Sequence, residues 1–102
     1  MSITVGRYTF EGPYTSTDSL EDRSGVYAIH CLTDQKYYLI DVGESGGVKK
    51  RVESHDRKDC WKENCQGTLT VSVLYTPNLQ QAGRREIEQE LRTQYNPPCG
   101  VV

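Results

Sequence analysis

A chain of 102 residues, a quarter of them charged, holds one domain and no second core. Leu, Ile, Val and Phe number 21 and the formal charge is only −2, which excludes the disordered class. No apolar run approaches the ~20 residues of a membrane span. The first ten residues lack a basic region followed by an apolar stretch, so a single-domain cytoplasmic protein is expected. The seven Tyr carry most of the aromatic content, and each hydroxyl needs a partner.

Residues 1–24 open with Ile3, Val5 and Tyr8 alternating with polar residues, the pattern of one short strand over 3–10. Residues 12–24, rich in Gly, Pro, Ser, Thr and Asp, read as a loop. Residues 25–33 (GVYAIHCLT) and 36–42 (KYYLIDV) have the β-branched and aromatic content of strands, and Asp34-Gln35 between them predicts a tight hairpin. Gly43, Gly46 and Gly47 break the chain. A helix over 48–55 follows, with Val48 and Val52 on one face, and a second over 56–64 anchored by Trp61. Residues 68–75 alternate strictly, with Leu69, Val71 and Val73 on one side. Residues 79–94 predict a helix with the inner stripe Leu79, Gly83, Ile87, Leu91 and Tyr95, stopped at Pro97-Pro98. The order predicts an α+β fold with a small central antiparallel sheet flanked by helices.

Charge is unevenly spread. Residues 1–46 carry a net −4, whereas residues 47–62 carry +3 and hold six of the 12 Lys and Arg. That basic window, with His55 inside it, suits a phosphate-bearing partner, and Lys49, Lys50, Arg57 and Lys58 are the candidate nucleic-acid contacts. The four cysteines, Cys31, Cys60, Cys65 and Cys99, do not follow zinc-site spacing. In a reducing compartment they are expected as free thiols.

Four groups stand out for chemistry: Tyr27 in Gly25-Val26-Tyr27; Asp41-Val42-Gly43; Arg51 with His55, four apart and on one face if helical; and Glu88 followed by Tyr95-Asn96-Pro97-Pro98-Cys99-Gly100. In this order and spacing they resemble the GIY-YIG nuclease superfamily. Gly25-Val26-Tyr27 stands for its first motif, Asp41-Val42-Gly43-x-Ser45 for its second, Arg51-x-x-x-His55 for its Arg…His helix, and Glu88 with Pro97 for its acidic residue and terminal segment. The resemblance covers residues 25–100. It divides the chain into an extension, 1–24, and a GIY-YIG-like nuclease domain, 25–102, within one structural unit.

The resemblance implies a divalent-metal-dependent endonuclease that hydrolyses DNA phosphodiester bonds. Glu88 would hold Mg2+ or Mn2+, Arg51 would clamp the phosphate, and His55 would assist by hydrogen bonding. Tyr27 would act as general base, with its pKa lowered by the cationic surroundings. The chain departs from the family at Asp41, where the second Tyr belongs, and at Gly100, where Asn is usual. Asp41 is expected to reach the metal beside Glu88 or to position a water. If its presence abolishes cleavage, the fold would serve as a nucleic-acid-binding or protein-interaction module. DNA is the expected partner, with a homodimer or a second protein to supply specificity and no membrane.

Overall fold

The computed structural model describes residues 1–100. In chain order it contains β1 (Ser2–Val5), β2 (Tyr8–Tyr14), a 3-10 turn (Thr17–Ser19), β3 (Gly25–Thr33), β4 (Lys36–Ser45), α1 (Val48–Glu53), α2 (Lys58–Glu63), β5 (Thr68–Tyr75) and α3 (Gln81–Tyr95). The strands form one antiparallel sheet in the order β1-β2-β5-β3-β4, so the α+β class holds. No helix among the described residues is long and apolar enough to cross a membrane.

Both faces of the sheet are covered, and successive residues of β3 enter opposite layers. Val26 and Ala28 pack with Val5, Phe10 and Val42 under Ile87 and Leu91 of α3. Tyr27 and Ile29 pack with Val71 and Val73 under Val48 and Val52 of α1 and Trp61 of α2. The period-2 alternation of a strand with two buried faces produces this division. The hairpin between β3 and β4 turns at Asp34 and Gln35, both with positive φ (52° and 66°), as a two-residue loop of the primed type requires.

Several boundaries differ from the sequence expectation. The N-terminal residues make two strands, not one, and β2 runs into the segment expected as a loop. Because β2 pairs with β5 and Phe10 is fully buried, residues 1–14 belong to the sheet itself. α1 stops at Glu53, so His55 lies past the helix instead of one turn along it. The expected stripe of the last helix narrows to Ile87 and Leu91, because Leu79 and Tyr95 are exposed at its ends. Tyr95 uses its hydroxyl to accept from the Gly6 amide at 2.7 Å.

The cysteine expectation is overturned. Cys31 is bonded to Cys65 and Cys60 to Cys99, and no free cysteine remains among the described residues. The partners are 34 and 39 residues apart, so local spacing carried no signal of either pair. Together the two bonds tie both ends of α2 down, one to β3 and the other to the C-terminal segment. That segment also covers the edge strand β4, where the Cys99 amide donates to the Ile40 carbonyl at 3.0 Å.

Candidate functional site

Tyr27 points from the middle of β3 towards α1 and α2. Its Oη lies 2.6 Å from Nε2 of His55. Gly43 is its direct cross-strand neighbour, and a Cβ at that position would overlap the phenol oxygen and ring. The glycine of Asp41-Val42-Gly43 is therefore a steric requirement of the tyrosine opposite.

The loop after α1 carries His55. Its Nδ1 accepts from the Arg57 amide at 3.0 Å, which places the proton of the neutral ring on Nε2. Nε2 then donates to Tyr27 Oη. The imidazole packs on Trp61, ring centroids 4.6 Å apart, and its side chain is fully buried. Burial, helped by the charges of Arg51 and Arg57, lowers its pKa to about 4, so the ring is neutral at pH 7.

The phenol follows the opposite trend to the one expected. Burial pushes the Tyr27 pKa up to about 12, and the cations Arg51 and Arg57 only partly oppose it. Desolvation outweighs the basic surroundings because the side chain is 1% exposed. Asp41 and Glu88 also act on this phenol and push in the same direction as burial. Tyr27 and His55 are in direct contact, and Arg92 joins Asp41 to Glu88, whereas Arg51 is held by Asp56.

Asp41 does not have the role expected of it. Its carboxylate is completely buried and fully engaged. Oδ1 accepts from the Val42 amide at 2.8 Å and from Arg92 Nη2 at 2.8 Å; Oδ2 accepts from Arg57 Nε at 2.8 Å and from Trp61 Nε1 at 2.7 Å. No lone pair is left for a metal or a water. Asp41 lies beside a register irregularity in β4 opposite Ile29 and His30, at the sheet edge, where α2 and α3 can both reach it. It binds those two elements together through Arg57 and Arg92. Gly100 closes the cluster: with φ +73° it passes so close that a Cβ would meet Arg92, Asp41 and Arg57. Asn96 is the left-handed cap of α3.

The remaining candidates separate into free and engaged groups. Glu88 is partly exposed, and its Oε2 accepts from Arg92 Nε at 3.2 Å. Glu90 is bound to Arg7 and Tyr8, and Arg84 pairs with Glu44. Arg51 is 38% exposed and pairs with Asp56 at 3.0 Å, a contact a phosphate can displace. Arg57, expected on the nucleic-acid surface, is instead drawn into Asp41. Lys49 donates to the Thr17 carbonyl at 2.9 Å, Lys50 lies 3.8 Å from Asp22, and Lys58 donates to the Glu53 carbonyl. Part of the basic window is therefore neutralised within the fold.

Among the described residues no group of three or more His, Cys, Asp or Glu side chains is arranged to hold a metal. The donor set is a single carboxylate, Glu88. This suits Mg2+, which keeps most of its waters and takes one or two protein oxygens together with a substrate phosphate.

Sequence reasoning missed Arg92 and Trp61, the two partners that complete the Asp41 cluster. The Arg92 signal was its position one helical turn after Glu88. Trp61 carried none beyond being the sole indole in the chain.

The two histidines predict a pH dependence. His30 is buried with Nδ1 unpartnered, and burial lowers its pKa to about 4, as for His55. In the unfolded chain both return to ~6.5 and take up protons first. Stability is thus full above pH ~6.5 and falls as the pH drops towards 4, with His30 contributing about 2 kcal/mol of the loss. Urea midpoints at pH 7 and 4.5 check this; His30→Gln should flatten the profile.

Comparison with family models, with curated proteins and with solved structures returns no match to this chain.

Proposed function

We propose that the chain is a metal-dependent endonuclease acting on DNA, with the GIY-YIG-like arrangement its sequence resembles. The observation that carries this reading is the Tyr27–His55 hydrogen bond, with Glu88 tied through Arg92 to Asp41, two positions from the Gly43 that faces Tyr27. With Arg51, these are the groups that phosphodiester hydrolysis needs: a proton acceptor, a phosphate clamp and an anchor for a divalent ion.

Glu88 would hold Mg2+ or Mn2+ with the oxygen that Arg92 leaves free. Bound there, the ion supplies positive charge to the phosphate and the leaving oxygen. Arg51 exchanges Asp56 for the phosphate and grips it with its planar fork. His55 donates from Nε2 to Tyr27 Oη, which favours the phenolate and holds the ring in place. Tyr27 takes the proton of the attacking water after its own proton has passed to solvent, His55 Nε2 being already protonated. With a resting pKa of about 12, only a small fraction of phenolate exists at pH 7. Cleavage should therefore rise about tenfold per pH unit between pH 7 and 9. Arg92 orients Glu88 and Asp41 at once, a positioning role.

Supercoiled plasmid and branched DNA, incubated with Mg2+ or Mn2+ and with EDTA, test the reading. Glu88→Gln should lower cleavage at least 100-fold and raise the metal concentration needed for half-maximal rate. Equal cleavage by this variant would contradict the assignment.

The burial of Tyr27 favours a second reading, in which the fold binds nucleic acid without cutting it. In that case binding falls steeply with salt while plasmid stays intact in every metal.

A further inference from the structure

A pocket of about 250 Å3 opens beside Trp61, with no residue of the Asp41–Arg57–Arg92 cluster other than Trp61 in its lining. Trp61 itself, Ile29, Val52, Leu69 and Val71 make its apolar walls, and Tyr14 flanks it. Thr15, Ser16 and Thr17 of the strap after β2 line its rim, where the Ser16 hydroxyl accepts from the Asp18 amide and the Thr17 hydroxyl donates to Glu53, and α2 places Lys58 and Lys62 along its border. It is smaller than the ~300 Å3 at which pockets for drug-sized ligands begin, so it suits one ring system. Aromatic flanks favour a flat ring, the Ser16 hydroxyl keeps its proton to donate to the polar edge of a heterocycle, and the Lys62 ammonium, with Lys58 beside it also bonded to the Glu53 carbonyl, asks for an anion close to that ring. Lys62 forms no ion pair among the described residues, so its charge is open to a ligand.

We propose that this pocket takes one unstacked base of a nucleic-acid strand, with the adjoining phosphate on Lys62 and Lys58. The proposal rests on the nucleic-acid part of the reading above and is independent of whether the chain cuts. It makes the preferred substrate a strand with unpaired nucleotides, because a base stacked in a duplex cannot enter. Base and phosphate belong together here: the apolar walls give no reason to hold phosphate alone, and the lysines give no reason to hold a neutral base.

Trp61 is the only tryptophan and lines the pocket, so its fluorescence reports occupancy. The oxidised, full-length protein is titrated at low salt in EDTA with a single-stranded decanucleotide, a blunt duplex of the same sequence, a mononucleotide and inorganic phosphate. The single strand should change Trp61 emission saturably and bind at least tenfold tighter than the duplex. The mononucleotide should compete weakly, and phosphate should leave the emission unchanged. Measured by anisotropy of a labelled strand, Lys62→Glu should weaken binding five- to tenfold, and Leu69→Phe, which fills the pocket, should do the same. Lys36→Glu, a charge reversal at an exposed lysine beside the β3–β4 turn and outside the pocket, should weaken it less than twofold.

Thermal melts confirm that each variant is folded, and if Leu69→Phe does not fold, the lysine pair and the competition series decide. Equal affinity for single strand and duplex, an unmoved Trp61 signal, a mononucleotide binding as tightly as the strand, or equal losses at Lys36 and Lys62 would each overturn the proposal. Absence of cleavage in the plasmid assay leaves it intact, which separates its failure from that of the nuclease reading.

Discussion

Replacing Asp41 with Ala should destabilise the fold by about 3–5 kcal/mol, close to the whole stability of a small domain. The carboxylate is fully buried, and its removal leaves the guanidinium of Arg92, itself only 9% exposed, without a counter-charge. Arg57 loses its partner as well, and the Trp61 indole loses its acceptor. Breaking one side of a buried ion pair is costly because the charge left behind has neither water nor partner. Asp41→Asn keeps acceptor oxygen and volume and should lose less. Urea denaturation at pH 7 checks both variants. A loss below 1 kcal/mol for Asp41→Ala would show that the cluster does not hold α2 and α3 to the edge of the sheet. This result would also separate Asp41 from the chemistry: its variants should lose activity only in proportion to lost folded protein.

Opening the two disulfides should have an effect of similar size. Each closes a loop of 34 or 39 residues, for which chain entropy predicts about 4 kcal/mol. The two loops overlap, so their effects will not add. α2 is six residues long and cannot persist without tertiary support. Once both bonds are open, α2 is held by the core packing of Trp61, by Lys58 on the Glu53 carbonyl and by the bonds of Trp61 and Arg57 to Asp41. A dithiol reductant should lower Tm by about 10 °C or more, and iodoacetamide should label four thiols afterwards and none before. In a reducing compartment the bonds would open, and α2 would then be held by Trp61 packing and the Asp41 cluster without a covalent tie. A Tm unchanged on full reduction would contradict this description of how α2 is attached.

The parts of this fold set by local chemistry were readable before the structure. The β3–β4 hairpin shows as two apolar runs around a two-residue turn, and β5 as strict alternation of Val and Thr or Ser. The α3 stop shows at two prolines, although the flanks of its stripe do not: Leu79 has the right spacing but precedes the helix, and Tyr95 is its exposed last residue. What could not be read depends on partners distant in the chain. β2 became a strand because β5 offers it a hydrogen-bonding edge, not because Gly12 and Pro13 favour one. The cysteine pairs join residues more than 30 positions apart.

The candidate site divides in the same way. Tyr27 and His55 were named from their motifs and lie in hydrogen-bond contact. The role of Asp41 was misjudged because strand-end position says nothing about Arg57, Arg92 and Trp61 arriving from two other elements. The expected lowering of the Tyr27 pKa failed for a physical reason. A count of nearby cations omits the desolvation of a phenol buried under α1 and α2, and here that is the larger effect.

The most direct test of the nuclease account is metal-dependent nicking of supercoiled plasmid by the oxidised protein and by Tyr27→Phe, compared at pH 8. The substitution keeps the ring against Gly43 and removes only the oxygen bonded to His55. The account predicts cutting by the wild-type protein in Mg2+ or Mn2+, none in EDTA, and at least a 100-fold loss in a Tyr27→Phe protein that melts normally. Cutting at an undiminished rate by Tyr27→Phe, or no cutting by the wild type in either metal, would contradict it.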